Sequence, residues 1–325
     1  IQESVPMKYN RRESLLTLGT VAGSLSANQS LAANPRHSIH ANPLEQKFRY
    51  CLNTSTIRGQ KTGILKEVEI AAAAGYDGIE PWIPNLREFR DQGGSISDLS
   101  KRIADSGLTV DSAIGFAQWI HPDQATRTQA LEEARKDMDM LKQLGGTRIA
   151  APPVGAHSGD APTVELPAAA ERFAALQQIG NDAGIIPQLE VWGFSKNLSR
   201  LGDVAWVAAE TGRRDSCLLL DVYHIFKGGS DFAGLSLFSD QSLQVFHMND
   251  FPADPTRDRM NDSHRVYPGD GIAPLSSILQ MLAGKARTIT LSLELFNPGY
   301  WQQDAAVVAA EGLKKMQAAV KAAGF

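Results

Sequence analysis

From residue 47 onward the chain alternates short, β-branched apolar runs with longer stretches in which apolar residues recur every three or four positions. The runs at Phe48–Thr54, Tyr76–Trp82, Val110–Gly115, Thr147–Ala151, Ile185–Trp192, Cys217–His224, Leu243–Asp250 and Thr288–Phe296 predict strands. The longer patterns predict helices over Leu65–Ala74, Gln129–Leu144, Pro167–Asp182, Asp203–Thr211, Ile272–Leu282 and Asp304–Ala323. Residues 130–141 show the helical period most plainly, with Leu131, Ala134, Met138 and Leu141 on one face. Gly75 and Gly145 follow two of these stretches and suit left-handed helix ends.

Alternating units of this kind over residues 46–325 match the size and order of an α/β chain closed into a (β/α)8 TIM barrel. A doubly wound sheet is the rival, because periodicity does not show closure. Such a sheet normally carries a glycine-rich cofactor turn, and the chain has neither a GxGxxG fingerprint nor a Walker-type phosphate loop.

Residues 1–45 differ in kind. Arg11-Arg12 precede a weakly apolar run from Leu15 to Leu25, then Ser/Ala-rich sequence with Ser30-Leu31-Ala32. Basic start, apolar middle and small-residue end are the order of an export leader, similar to an imperfect twin-arginine signal. The expectation is export to the periplasm, with a cytoplasmic protein carrying a flexible Ser/Ala tail as the alternative. The apolar run is too short and diluted for a membrane anchor, so no stable membrane insertion is expected after leader removal.

Composition narrows the partners. The 32 Lys and Arg stand against 36 Asp and Glu, a net charge of −4, which gives no general attraction to nucleic acid or acidic membranes. Cys51 and Cys217 fall in different predicted strands and read as small core residues rather than a disulfide framework.

The chemistry gathers in Glu190, Asp221, His247 and Glu294, each near the C-terminal end of a separate predicted strand, the fifth through the eighth. A charge inside apolar strings such as Leu219-Leu220-Asp221-Val222 or Leu293-Glu294-Leu295-Phe296 is costly unless paired, hydrogen-bonded or bound to metal. Taken singly, each has an ordinary structural use, as a helix cap, a salt bridge or a satisfied core histidine. Barrel geometry brings the ends of successive strands around one point, where three carboxylates and an imidazole suit one divalent ion: Mn²⁺ foremost, with Mg²⁺, Co²⁺ or Zn²⁺ as alternatives.

The strings Leu189-Glu190, Asp221-Val222-Tyr223-His224, His247-Met248-Asn249-Asp250, Arg265 with Pro268-Gly269-Asp270-Gly271, and Glu294-Leu295-Phe296 resemble the xylose-isomerase-like barrel superfamily, over roughly residues 47–323. The sugar epimerase, hydroxypyruvate isomerase and inositol-catabolism branches are the most similar. The resemblance implies that Glu190, Asp221, His247 and Glu294 hold the metal, and that His224 and Arg265 hold substrate oxygens. One departure stands out: the family often has an asparagine-arginine-glutamate segment soon after the first metal-binding glutamate, where this chain has Val191-Trp192-Gly193-Phe194-Ser195-Lys196-Asn197.

The implied function is a metal-dependent isomerase or epimerase of a small, unphosphorylated keto or aldo sugar, with Glu190 and Glu294 as paired acid and base around an enediolate. Glu80 is a plausible substrate contact, and Trp82, Trp192 and Phe296 are candidate apolar walls. The alternatives are a keto-sugar or keto-inositol dehydratase, a non-enzymatic carbohydrate-binding barrel and, more remotely, an abasic-site endonuclease. A homo-oligomer is compatible with all of them.

Overall fold

The computed structural model describes residues 47–325; the leader expected over residues 1–45 lies outside the described residues. Strands β1 (Phe48–Asn53), β2 (Gly78–Glu80), β3 (Thr109–Val110), β4 (Arg148–Ala151), β5 (Ile186–Glu190), β6 (Cys217–Asp221), β7 (Leu243–Met248) and β8 (Ile289–Leu293) pair in the order β3-β2-β1-β8-β7-β6-β5-β4. All these pairings are parallel. The seam closes where Ala113 bridges Ile149: the Ala113 N–H donates to Arg148 O at 3.1 Å, and the Ala150 N–H donates to Ala113 O at 2.8 Å. The sheet is therefore a barrel, as the eightfold alternation predicted.

Around it lie α1 (Ile64–Ala74), α2 (Ile83–Asp91), α3 (Ile96–Asp105), α4 (Gln124–Leu144), α5 (Leu166–Ala183), α6 (Leu201–Glu210), α7 (Val222–Gly228), α8 (Leu275–Ala283), α9 (Pro298–Trp301) and α10 (Ala305–Ala322). Helix α4 shows why such segments become helices. Asp123 caps its first turn by accepting the Thr126 N–H, Ala130, Ala134, Met138 and Leu141 line its buried face, and Gly145 ends it at φ 92°. Strand residues with no exposure, among them Leu52, Ile79, Leu189, Leu220, Phe246 and Leu293, pack against these helices as one core. Cys51 and Cys217 are free thiols within it. No helix among the described residues is long and apolar enough to cross a membrane.

Two expectations need correction. The sixth strand, expected to run to His224, stops at Asp221, whose Oδ1 accepts the His224 N–H at 2.8 Å and opens α7. Val222, Tyr223, His224 and Ile225 are all buried, so this short helix lacks the polar face that would distinguish it from a strand. Helices α2 and α3 were not anticipated, since each buries only two or three apolar side chains.

Candidate metal centre

Parallel pairing delivers the acidic and imidazole groups to one end of the barrel, where Asp221 sits opposite His247 and His247 opposite Ser292. Asp221, His247 and Glu294 converge there, each offering a ligand atom within 4.8 Å of the other two. All three are buried. His247 Nδ1 lies 3.1 Å from Glu294 Oε2 and 3.8 Å from Asp221 Oδ2. Glu190, expected as a fourth ligand, lies outside this cluster of three but lines the same cavity, together with Trp82, Trp192, His224, Arg265, Glu294 and Phe296.

The polar accounting fits a cation. His247 Nδ1, Glu190 Oε2 and Glu80 Oε1, all able to offer a lone pair, are buried side-chain atoms without a hydrogen-bond partner. An unsatisfied buried polar atom costs about 1–3 kcal/mol, so several at one centre are anomalous unless a ligand satisfies them. Two carboxylates and an imidazole suit a divalent ion of the magnesium, manganese, cobalt or zinc kind, and no thiol takes part. Asp221, His247 and Glu294 thus form a metal-binding site consistent with a divalent cofactor.

Glu80 takes a different place from the one expected. It has no exposure, and instead of facing the cavity its Oε2 lies 3.0 Å from His247 Nε2, while Ser292 Oγ donates to that oxygen at 2.6 Å and Asn53 Nδ2 at 2.9 Å. A carboxylate on the far nitrogen of a ligand histidine fixes its tautomer and leaves the other nitrogen free for metal. Asn53 ties the arrangement together, donating also to Glu294 Oε1 at 3.1 Å and accepting the Trp82 indole N–H at 2.9 Å. Asn249 braces Asp221, donating to its Oδ2 at 2.8 Å.

Arg265 is buried, with Nη1 3.0 Å from Asp221 Oδ2 and 2.8 Å from Glu294 Oε2, and Nη2 bonded to Asp262. Its guanidinium lies over the rings of Tyr223 and Phe296 at 4.5 and 5.0 Å. The segment is held by Asp250, whose backbone pairs with Val266 in both directions and whose carboxylate accepts the N–H groups of Phe251, Gly269, Gly271 and Ala273. That is the physical content of the Pro268-Gly269-Asp270-Gly271 string: a Cβ at Gly271 would lie 2.3 Å from Asp250 Oδ1.

Electrostatics sort these groups. Burial pushes the Glu190 carboxyl up to about 8, aided by the neighbouring Glu294 charge. Burial also opposes ionisation of Glu294, but His247 and Arg265 outweigh it and hold that carboxyl down at about 2. Burial disfavours charge on His247 as well, yet Glu294 and Glu80 raise its pKa well above the ordinary value. Carboxylates that favour a proton on Nδ1 favour a divalent cation in its place, so metal binding here exchanges against a proton. His224 goes the other way, pushed down to about 3 by burial and then by Arg265. The Gly193 N–H donates to its Nδ1 at 3.3 Å and Arg265 Nη2 lies 3.0 Å from its Nε2; a neutral ring accepts only one such bond at a time.

The sequence reading gave roles to the ligands but none to Asn53, Ser292, Asn249 or Asp250, although the last two stand in the His247-Met248-Asn249-Asp250 string. Ser292 and Asn249 each stand two residues from a ligand, on the same strand face, which is the signal that would have found them.

Comparison with known proteins agrees with this fold. The family model for the xylose-isomerase-like TIM barrel matches residues 68–319. The chain belongs to that family. It is 23% identical over 261 residues to an inosose isomerase of Halalkalibacterium halodurans, covering 79% of this chain and 91% of that protein. It is 26% identical over 264 residues to a 3-dehydroshikimate dehydratase of Pseudomonas aeruginosa, covering 78% of this chain but only 40% of that one. Among solved structures, the IOLI protein with a bound zinc atom superposes with a TM-score of 0.77 at 20% identity, covering 84% of this chain and 98% of that chain. An L-ribulose 3-epimerase gives 0.69 at 19% identity, covering 85% and 95%.

Proposed function

We propose that the protein is a divalent-metal-dependent isomerase or epimerase of a small keto or aldo sugar, acting by proton transfer beside a carbonyl. One observation carries the reading: Glu190, at the end of β5, and Glu294, directly after β8, border a single cavity at the Asp221–His247–Glu294 centre. When bound, the ion would polarise the substrate carbonyl and stabilise the charge of an enediolate.

The chain's own groups would do the rest. Glu190 and Glu294 reach the cavity from two strands and would exchange a proton with the substrate carbon, one removing it and the other returning it to the opposite face or the adjacent carbon. His224 and Arg265 would hold substrate oxygens, and Trp82, Trp192 and Phe296 would exclude water. The curated inosose isomerase relatives and the epimerase of like fold support this reaction class; the zinc atom in a structure of like fold supports an ion in such a barrel. Manganese is the ion we expect first, from the oxygen-rich donor set, and zinc the main competitor.

The likeness to a 3-dehydroshikimate dehydratase favours a second reading, loss of water after the same proton abstraction. Product mass separates the two. An isomer keeps the mass of the substrate, whereas elimination lowers it by one water. Metal-free protein should show no solvent-deuterium exchange into a ketose, and adding Mn²⁺ or Zn²⁺ should restore it. Full exchange in demonstrably metal-free protein would end the metal-dependent proposal.

A further inference from the structure

Arg265 and a metal ion lay claim to the same two oxygens. The carboxylate oxygens that face His247 Nδ1 are Asp221 Oδ2, at 3.8 Å, and Glu294 Oε2, at 3.1 Å. Arg265 Nη1 donates to both, at 3.0 and 2.8 Å. The other oxygen of each carboxylate is already engaged: Asp221 Oδ1 accepts the His224 N–H at 2.8 Å, and Glu294 Oε1 accepts from Asn53 Nδ2 at 3.1 Å. Asp221 Oδ2 accepts Asn249 Nδ2 as well, at 2.8 Å, so with Arg265 in place both of its lone pairs are used. An ion ligated by Asp221, His247 and Glu294 therefore has to take what the guanidinium holds. Two cations on one pair of oxygens also repel, and Arg265 is only 1% exposed, so little water screens them.

Donor counting points the same way. A guanidinium has five N–H groups. The two on Nη1 go to Asp221 and Glu294, those on Nη2 face Asp262 and His224 Nε2, and Nε is buried without a partner. While Nη1 keeps these bonds, only the Nε–H is uncommitted and able to meet a substrate oxygen.

The backbone of Arg265 is pinned and cannot relieve the conflict. Asp250 and Val266 bond in both directions at 3.0 Å, and Asn297 Nδ2 donates to Arg265 O at 3.0 Å. The guanidinium has more freedom. Its contacts with the Tyr223 and Phe296 rings, at 4.5 and 5.0 Å, lack the directionality of hydrogen bonds. Asp262 lines the cavity and is the outermost of its acidic partners, with a side chain 36% exposed against 0% for Asp221 and 4% for Glu294. A shift of the guanidinium toward Asp262 keeps that partner and gives up the two inner ones.

We propose that Arg265 is a built-in competitor of the metal: it neutralises Asp221 and Glu294 when the ion is away, and the ion on binding drives Nη1 outward, which frees its N–H groups for a substrate oxygen. Metal then binds before substrate, and loading the ion completes the pocket. Only the hand-over to a substrate oxygen rests on the sugar reading above; the competition needs no more than an ion at the centre.

The test compares the wild-type chain with Arg265→Met, whose unbranched side chain keeps apolar contact with the two rings. Mn²⁺ affinity, read by competition with a chromophoric chelator, should rise about tenfold or more in the variant, because the ion no longer displaces a cation. The Tm in EDTA should drop by at least about 5 °C, since two buried carboxylates lose their partner, and with saturating Mn²⁺ by less than half as much. An equal drop in both conditions with unchanged affinity means a merely structural arginine, and a fall in affinity means that Arg265 builds the centre; either overturns the proposal. If the variant does not fold in EDTA, the wild-type protein decides. Crystals grown with EDTA and with Mn²⁺, the ion located by anomalous scattering, should show Nη1 on Asp221 and Glu294 only in EDTA. An ion on Asp221, His247 and Glu294 with both Nη1 bonds intact overturns the competition and leaves the metal centre standing, whereas no ion there overturns both.

Discussion

The two ends of this barrel are built from the same residue types but are satisfied in opposite ways. At the N-terminal end of the strands, Arg49 donates to Asp77 O at 3.1 Å and Thr109 Oγ1 at 2.7 Å, and Arg148 donates to Gln244 Oε1 at 2.8 Å and Asp111 O at 3.1 Å. Asp77 accepts the Tyr50 N–H at 2.8 Å. None of these side chains has a buried polar atom without a partner. At the C-terminal end, Glu80, Glu190, Asp221 and Glu294 are all buried around one guanidinium and two histidines, and Glu80, Glu190 and His247 each keep a buried atom without a hydrogen-bond partner. One end is a closed network suited to stability. The other is an incomplete one that a divalent cation would complete, the usual division of labour between the two faces of such barrels.

The contrast breaks most severely if the carboxyl groups that border the cavity can no longer exchange a proton. Glu190→Gln and Glu294→Gln should each lower turnover by about 10²–10⁴-fold, the ordinary range for a positioned acid or base, with the circular dichroism of the barrel retained. Near-wild-type turnover in both would remove the acid–base assignment. One step further from substrate, Glu80→Gln keeps the shape but weakens the hold on His247 Nε2. Metal affinity, followed by competition with a chromophoric chelator, should fall about 10–100-fold. An unchanged affinity would mean that Glu80 only fills space. The opposite end should respond the other way: Arg148→Ala should cost about 1–3 kcal/mol in denaturant unfolding, because Gln244 loses its donor, while kcat stays at the wild-type value. A large loss of kcat with unaltered stability would show that the two ends are not separate.

Much of this was legible before any coordinates. The ligands could be read because a charge inside Leu219-Leu220-Asp221 or Leu293-Glu294-Leu295 has no inexpensive explanation, and four such anomalies fell at successive strand ends. Glu80 carried the same anomaly, in Gly78-Ile79-Glu80, but its role could not be read from it. Whether a buried acid faces the cavity or the back of a histidine depends on strand stagger, which periodicity does not encode. Arg265 illustrates the same limit: its charge-rich neighbourhood resembles surface, and only the Asp250–Val266 pairing shows how it is carried inward. The fold was read correctly where elements bury a continuous apolar face, and missed where α2 and α3 bury only two or three apolar side chains each and where α7 is buried with no polar face.

Glu67 is the control for this comparison, a buried acid with neither a matched network nor a metal-binding cluster. It lies on α1 at 2% exposure, its Oε2 has no partner, and burial pushes its carboxyl up to about 7. The sign follows from proton counts. Below the unfolded value near 4.5 both states are protonated and the folded protein carries no penalty. As pH rises toward 7, the unfolded chain releases its proton while the folded one retains it, so stability falls across that window and levels off above it. A shift of this size corresponds to at most about 3 kcal/mol. Glu67→Gln keeps a polar amide in the same apolar surroundings and should recover only part of that, about 1–2 kcal/mol at pH 7.5. Denaturant unfolding of both proteins from pH 4 to 8 checks it, with curves that coincide at the acid end and separate toward neutrality. If the gain is the same at pH 4, the effect of Glu67 is steric, and burial alone is not what distinguishes the metal-binding end from the rest of the barrel.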